Sequence, residues 1–155
     1  MPLTSFNEHP DIDVTVDGAD EVSPQLDLIK GLGGALVREK IVAHASNRVV
    51  IIVDDSKLVE RLGAKTGIPV EVIPLAVPRL LRQLNGARVR EKNGQPYVSD
   101  NGNMILDWKH GAIDNPAALE KELKAMTGVV DSGIFAGVAS CVIVAGSAGI
   151  RKLSR

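Results

Sequence analysis

The chain has 155 residues, of which 45% are hydrophobic and 24% are charged, and its formal net charge is −1. This composition predicts a globular protein of one domain, or of one domain with a small appendage, and the lack of a basic cluster argues against a nucleic acid partner. The longest apolar run, residues 49–53, is far shorter than the roughly 20 residues of a membrane span, and no signal-peptide pattern is visible, so we expect a cytoplasmic protein.

Cysteine and histidine give no sign of a metal site. Cys141 is the single cysteine and lies in an apolar run, which predicts a buried, unreactive thiol and excludes a disulfide within the chain. The histidines, His9, His44 and His110, are far apart and share no ligand spacing. We therefore assign no residue to a metal.

The first third of the chain predicts alternating strands and helices. Residues 12–16 alternate in the manner of a strand, and residues 26–29 predict a short extended segment. Apolar residues at helical spacing predict a helix over residues 34–45, and the branched aliphatic residues 48–53 predict a buried strand of a parallel sheet. This order of elements is that of βαβ units, which form parallel sheets.

Polar residues follow that buried strand. Residues 54–56, Asp-Asp-Ser, predict an N-cap for a short helix that extends to about Leu62. Lys57 comes just past the end of the strand, so we expect it at the same sheet edge as Asp17, which ends the first strand. Residues 63–69 contain two glycines and a proline and predict a boundary between two parts of the chain.

Beyond this boundary, turns and short strands predict a second, smaller unit. The Asn93-Gly94 pair is a strong hairpin signal, and the elements follow the β-α-β-β-α-β order of a ferredoxin-like unit. The predicted elements are a strand over residues 70–73, a helix over 75–84, strand fragments over 87–91 and 97–99, a strand over 104–108, a helix from Pro116 to Gly128 that Asn115 caps, and a strand over 129–135.

The last apolar run, residues 141–145, predicts a strand that returns to the first sheet. We therefore predict an α/β fold in which a Rossmann-like parallel sheet is joined to a smaller ferredoxin-like α+β domain. The Rossmann-like domain would comprise residues 1–65 and 138–155, and the ferredoxin-like domain residues 66–137.

Residues 16–40 combine several groups that suit a ligand site. The first predicted strand stops at two carboxylates, Asp17 and Asp20, which enclose Gly18 and Ala19. A strand that ends in acidic residues places them at the carboxyl edge of the sheet, where open α/β folds bind their ligands.

A lysine and three glycines follow in the same stretch. Lys30 precedes Gly31, Gly33 and Gly34, and the predicted helix then carries Glu39. Glycines before a helix leave backbone N–H groups free to face an anion. Together with the two aspartates, these groups describe a site for a small, negatively charged, polyhydroxylated substrate.

Each of these features also has an ordinary interpretation. An Asp-Gly pair favours a turn for local backbone reasons, glycines are typical of a tight strand-to-helix connection, and Glu39 is by default a solvated helix residue. Because all of them occur within residues 16–40, we favour the ligand site.

In order and spacing, the motifs of the sequence resemble those of the A-type ribose-5-phosphate isomerase family over nearly the whole chain. The motifs that carry the resemblance are Asp17-Gly18-Ala19-Asp20-Glu21, Lys30-Gly31-Leu32-Gly33-Gly34-Ala35, Arg38-Glu39-Lys40-Ile41, Asp54-Asp55-Ser56-Lys57, Pro69-Val70-Glu71-Val72-Ile73-Pro74, Asp100-Asn101-Gly102-Asn103, Gly128-Val129-Val130 and Gly133-Ile134-Phe135.

The resemblance implies an enzyme of the pentose phosphate pathway that interconverts ribose 5-phosphate and ribulose 5-phosphate through an enediolate, without a metal or an organic cofactor. That chemistry requires a base and donors for the developing oxyanion. The resemblance implies Glu39 as the proton acceptor, which we expect its two flanking cations to keep ionised. Asp17 and Asp20 would hold sugar hydroxyls, Lys30 and the glycine-loop amides the oxyanion, and Lys57 would be a second cation. It also implies a homodimer or homotetramer.

The sequence departs from the family in two places. Leu32 interrupts a run of glycines, although it can still offer its N–H group if its φ is negative. The family's N-terminal βα unit, with a phosphate-binding loop, has no counterpart before Asp11. We therefore expect the chain to correspond to the C-terminal two thirds of a family member and, alone, to bind ribose 5-phosphate weakly.

Two alternatives remain open from the sequence. One is a non-catalytic module that binds sugar phosphates, and the other is an inactive, truncated paralogue that survives as a structural subunit. Glu39 favours the enzyme, because binding alone does not require a carboxylate beside the reacting carbon.

Overall fold

The computed structural model describes residues 3–155, and its elements alternate between strands and three helices. In chain order they are β1 (Ile12–Asp17), β2 (Glu21–Val22), β3 (Leu28–Ile29), α1 (Leu36–His44), β4 (Ser46–Asp54), β5 (Ile68–Val72), α2 (Val77–Gln83), β6 (Ala87–Val89), β7 (Glu91–Lys92), β8 (Gln95–Pro96), β9 (Met104–Trp108), α3 (Pro116–Ala125), β10 (Val129–Ser132), β11 (Ile134–Phe135), β12 (Cys141–Gly146) and β13 (Gly149–Ser154).

The first sheet has the strand order β1-β4-β12-β13. β1 and β12 both pair in parallel with the central β4, whereas β13 is antiparallel to β12. This pairing confirms that residues 141–145 return to the first sheet. One face of the sheet packs into a core that also receives Phe135, and the sheet's own buried members are Val49, Ile51, Val53, Val142 and Val144.

The second sheet has the order β10-β5-β9-β6, and all of its pairs are antiparallel. α2 connects β5 to β6, and α3 connects β9 to β10, so the chain follows the predicted β-α-β-β-α-β order. The fold class predicted from the sequence, a Rossmann-like sheet with a smaller α+β unit, is confirmed. The core of this unit contains Ile68, Val70, Val72, Leu80, Leu106 and Leu123.

A small third sheet, β11-β3-β2, connects the two larger ones. The predicted strand over residues 129–135 breaks at Gly133, where β10 leaves β5 and β11 joins β3. The Gly133 N–H donates to the carbonyl of Pro69 at 2.7 Å, and its carbonyl accepts from the N–H of Lys30 at 2.8 Å. The space for a Cβ at Gly133 is taken by the carbonyl of Lys30, so glycine is required where the chain crosses between sheets.

Two predictions that depend on local residues, a helix N-cap and a hairpin turn, agree with the structure. The side chain of Asn115 accepts a hydrogen bond from the N–H of Ala118 at 3.0 Å, and Pro116 occupies the first position of α3. Asn93 and Gly94 have φ values of 56° and 74°, the left-handed pair that joins β7 to β8 in a tight hairpin.

Two predicted elements differ from the structure. The predicted helix to Leu62 is a single 3₁₀ turn, Asp55–Lys57, because the chain is extended at Leu58 and the N–H of Val59 bonds to the carbonyl of Val22. β4 is less buried than predicted: Ile52 is 49% exposed, on the strand face opposite to that of the buried Val49, Ile51 and Val53.

Other differences concern short or peripheral strands. β2 and β13 were not predicted, and the fragment expected over residues 97–99 is reduced to one bridge between Val98 and Met104. α1 begins at Leu36 rather than at Gly34, because Gly34 has a φ of +92°. Within residues 3–155, none of the helices combines the length and the hydropathy needed to cross a bilayer.

Candidate functional site

A nearly buried lysine lies between two carboxylates at the carboxyl edge of the first sheet. The Nζ atom of Lys30 is 2.9 Å from Oδ2 of Asp17 and 3.2 Å from Oε2 of Glu39. It also donates to the carbonyl of Gly18 at 2.5 Å. The Lys30 side chain is 5% exposed, whereas those of Asp17 and Glu39 are 31% and 28% exposed. The lysine is therefore enclosed, and the side chains of Asp17 and Glu39 are partly exposed, although Oε2 of Glu39 is itself buried.

Three elements bring these side chains together. Asp17 ends β1, and Lys30 follows β3, where its N–H bonds to the carbonyl of Gly133. Glu39 lies in the first turn of α1, and its N–H bonds to the carbonyl of Ala35. Within residues 3–155, Oε2 of Glu39 is buried without a hydrogen bond and has the ion pair with Lys30 as its polar contact.

The cations that flank Glu39 in sequence do not contact it. Arg38 donates from Nε to Oδ1 of Asn101 at 3.0 Å, and Lys40 contacts carboxylates of α3 and β10. Successive helix residues point about 100° apart, so neighbours in sequence face different surroundings. Neither flanking cation therefore contacts Glu39, and Lys30 is the cation that pairs with it.

The glycine loop, residues 31–34, folds as a tight turn before α1. Gly31 and Gly34 have φ values of +103° and +92°, which favour glycine. The φ of Leu32 is not positive, which is the condition under which its N–H group was expected to be available. This N–H donates to Oδ2 of Asp20 at 3.0 Å. The Gly34 N–H bonds to the carbonyl of Gly31 at 3.0 Å. Within residues 3–155, the N–H groups of Gly31 and Gly33 have no hydrogen-bond partner.

The remaining predicted residues lie around this centre. Oδ1 of Asp17 accepts from the N–H of Gly18 at 2.8 Å, and Ala19 packs against the core of the first sheet. The N–H of Asp20 bonds to the carbonyl of Ile29 at 2.8 Å. Asp17, Gly18, Lys30 and Glu39 are thus in one contact network, and Asp20 joins it through the glycine loop.

Lys57 stands apart from that network. It follows β4 at the sheet edge where β1 ends, but it makes no contact with Asp17, Lys30 or Glu39. Nearby, hydrogen bonds from Ser56 hold the pKa of Asp54 below its usual range. Lys57 is the last residue of the 3₁₀ turn that Asp54 caps, and it is not part of the charged centre.

The sequence analysis missed the contacts that support the glycine loop from the second sheet. Arg90 donates to the carbonyls of Gly31 and Leu32 at 2.8 and 3.0 Å, and the Tyr97 ring fills the space beside Gly34. These residues are separated from the loop by some sixty positions, and nothing in their local sequence signals the contact.

The chain is similar to proteins of one family. A model of ribose 5-phosphate isomerase A (phosphoriboisomerase A) matches residues 1–149. The ribose-5-phosphate isomerase A of Chloroflexus aurantiacus is 49% identical over 99% of this chain and 66% of its own length. That of Thermococcus kodakarensis is 43% identical over 100% of this chain and 70% of its own length.

Solved structures give the same result. A D-ribose-5-phosphate isomerase in complex with phospho-erythronic acid is 42% identical, with a TM-score of 0.97 over 100% of this chain and 70% of that one. The ribose 5-phosphate isomerase A of Methanocaldococcus jannaschii is 41% identical, with a TM-score of 0.93 over 100% of this chain and 71% of its own.

A parallel α/β sheet with charged side chains at the carboxyl ends of its strands places the chain in the class of open α/β proteins that bind ligands at that edge. The chain belongs to the ribose 5-phosphate isomerase A family, as the sequence motifs predicted. It spans about two thirds of the length of the curated relatives that it matches.

Proposed function

We propose that the chain catalyses the interconversion of ribose 5-phosphate and ribulose 5-phosphate through an enediolate, with Glu39 as the proton acceptor. The observation that carries the proposal is the placement of Lys30 between Asp17 and Glu39, whose side chains are both partly exposed. A base and a cation side by side are what proton transfer next to a carbonyl requires.

The proposed reaction moves one proton between adjacent carbons. Glu39 removes the proton from C2 of the open-chain aldose, and the electrons flow to the carbonyl oxygen on C1 to give the enediolate. The proton of the O2 hydroxyl passes to O1, and return of the carbon-bound proton from Glu39 to C1 leaves the carbonyl group of the ketose on C2. Lys30 lies 3.2 Å from the carboxylate of Glu39, so an oxygen of the enediolate that meets Glu39 also meets the Lys30 ammonium.

The other groups would hold the substrate. Asp17 and Asp20 would accept hydrogen bonds from sugar hydroxyls, with Gly18 and Ala19 forming the floor between them. No atom lies within 4 Å of the position of a Cβ on Gly33, and its φ is not positive. This chain's own packing therefore does not require glycine there, whereas close approach of a ligand to the backbone would.

Lys57 would serve as a second cation, and no metal or organic cofactor would be needed. Its separation from the charged centre suits a phosphate, which lies several bonds from the reacting carbons of an open-chain pentose phosphate. A phosphorylated sugar acid is bound by the solved relative that is 42% identical, and we propose an anion of the same chemical class as the ligand here.

The test is an isomerase assay of the wild type and Glu39→Gln, with ribose 5-phosphate binding measured by calorimetry. We expect the variant to lose turnover, since a positioned base contributes about 10²–10⁴-fold. Its binding should stay within about tenfold, or 1.4 kcal/mol. Undiminished turnover would refute the role of Glu39, and binding without turnover by the wild type would indicate a non-catalytic module.

We also propose that the protein is a cytoplasmic homodimer or homotetramer in which residues 66–137 form a separate domain that provides subunit contacts. Exposed apolar side chains support this, because Leu75 is 91% exposed and Val98 is 56% exposed. Sedimentation of Leu75→Glu should show smaller assemblies than the wild type. Unchanged assembly would exclude this surface.

A further inference from the structure

Arg90 connects the second sheet to the proposed active site through the glycine loop. It follows β6, and its side chain is 12% exposed. Nη1 donates to two successive carbonyls, those of Gly31 at 2.8 Å and Leu32 at 3.0 Å. Lys30, which precedes this loop, belongs to the charged centre, and Asp20 accepts a hydrogen bond from the loop's Leu32 N–H. Arg90 forms no ion pair with the charged centre, but its hydrogen bonds hold the backbone of the glycine loop next to that centre.

The guanidinium group is itself held rigidly. Nε donates to Oδ2 of Asp107 at 2.9 Å, and Nη2 donates to the other oxygen of the same carboxylate. The backbone N–H of Arg90 bonds to the carbonyl of Ile105 at 2.8 Å, and its carbonyl accepts from Tyr97 at 2.8 Å. A planar fork that binds a carboxylate with one edge and two carbonyls with another is a geometry that lysine cannot reproduce.

The direction of the carbonyls determines the direction of the neighbouring N–H groups. All peptide bonds of the described chain are trans, so the C=O of one residue and the N–H of the next point in opposite directions. Because the carbonyl of Gly31 faces Arg90, the N–H of Leu32 faces away, and it does donate to Asp20. By the same rule, the carbonyl of Leu32 directs the N–H of Gly33 away from Arg90, where it has no partner within residues 3–155.

We propose that Arg90 is a positioning residue that orients two peptide groups of the glycine loop, so that the Leu32 N–H holds Asp20 and the Gly33 N–H faces the substrate oxygen. This inference rests on the proposed isomerase function. Without Arg90, the peptide between Leu32 and Gly33 is free to rotate, and the N–H group is no longer preorganised for the charge that develops in the transition state.

The test compares Arg90→Ala and Arg90→Lys with the control Arg88→Ala in the full chain. Arg88 lies in β6, two residues before Arg90, and its exposed side chain makes no hydrogen bond or ion pair within residues 3–155. We expect Arg90→Ala to lower kcat about a hundredfold, as a misplacement of about 1 Å does. KM should change much less, because the lost interaction strengthens in the transition state. Arg90→Lys should recover part of the loss, and Arg88→Ala should match the wild type.

Amide hydrogen exchange without substrate supplies a readout that does not depend on activity. In Arg90→Ala, the Leu32 amide should exchange faster because its bond to Asp20 is loosened, and the Gly33 amide resonance should shift. Exchange at Val70, in the buried strand β5, should stay slow and so report an intact fold. If Arg90→Ala does not fold, kcat and amide exchange are measured on Arg90→Lys instead.

Three results would overturn the proposal. They are a kcat for Arg90→Ala within about twofold of the wild type, an equal loss in Arg88→Ala, and a fall in kcat with unchanged Leu32 and Gly33 amides. An inactive wild type would instead refute the proposed function. In that case the amide measurements alone decide whether Arg90 orients the loop.

Discussion

Two buried lysines on either side of α1's first turn show how similar residues acquire different roles. Lys30 is 4% exposed and Lys40 is 3% exposed. Their Nζ atoms lie 5.6 and 4.8 Å from the centre of the same ring, that of Phe135. Each pairs with two carboxylates. Burial, charge and aromatic contact therefore do not distinguish them.

Their partners do. Lys40 donates to Glu120 at 2.5 Å and to Asp131 at 2.7 Å, and the carbonyls of Ser132 and Ile134 lie at 2.8 and 2.7 Å. These four acceptors exceed the three donors of an ammonium group. The network ties α1 to α3 and β10 and has no unused group for a ligand.

Lys30, in contrast, has partners that solvent can reach. The side chains of Asp17 and Glu39 are 31% and 28% exposed, whereas those of Glu120 and Asp131 beside Lys40 are 20% and 10% exposed. Oε2 of Glu39 also has no hydrogen-bond partner within residues 3–155. The comparison shows that accessible, incompletely bonded carboxylates, rather than buried charge itself, mark the candidate site.

The largest effect on stability is expected from Lys40→Met. Removing the cation leaves Glu120 and Asp131 without their shared partner in a mostly buried position, and breaking a buried pair in this way costs about 3–5 kcal/mol. Urea denaturation measures the change in the free energy of unfolding. Lys121→Met, an exposed site on α3, is the control, and a loss of less than about 1 kcal/mol in Lys40→Met would contradict the comparison.

Lys30→Met should affect activity more than stability. Loss of a donor to a developing oxyanion costs about 10²–10³-fold in kcat. Asp17 and Glu39 can be hydrated once Lys30 is gone, because both reach solvent, so the free energy of unfolding should fall less than in Lys40→Met. Steady-state kinetics and urea denaturation test the two halves of this prediction. Equal stability losses in the two variants would remove the distinction between the lysines.

A smaller effect is expected at acid pH. Burial raises the pKa of the Asp131 carboxyl, but the hydrogen bond and the charge of Lys40, together with Lys124, outweigh it and hold the pKa below its usual range. A carboxyl with a lowered pKa in the folded state stabilises the fold above its unfolded pKa, and this contribution disappears as the pH falls through the folded pKa. Denaturation at acid pH values should show this loss in the wild type and a weaker dependence in Asp131→Asn. Identical pH profiles would exclude the contribution.

Much of the fold could be predicted because its signals are local. The alternation of residues 12–16, the Asn115 cap of α3 and the Asn93-Gly94 turn each depend on neighbouring residues. Asp17, Lys30 and Glu39 could be predicted as site residues for the same reason, because each lies at the end of a predicted strand or near the start of a predicted helix.

The contacts of those residues could not be predicted in the same way. Lys40 meets Asp131 across some ninety positions, and Arg90 meets Gly31 across some sixty, so only the folded chain brings them together. The break at Gly133 depends on the crowding of that residue against Lys30, which no local pattern announces. Sequence periodicity identifies elements, whereas the partner of each charge depends on tertiary packing.

The most direct test of the central claim is the exchange of carbon-bound hydrogen with solvent in D₂O. Through an enediolate, a proton held on Glu39 exchanges with solvent, so wild-type turnover of ribose 5-phosphate should place deuterium on C1 of ribulose 5-phosphate. Glu39→Gln should show neither turnover nor deuterium incorporation, while it still binds the sugar phosphate. Deuterium incorporation by Glu39→Gln at the wild-type rate would contradict the assignment of Glu39 as the base.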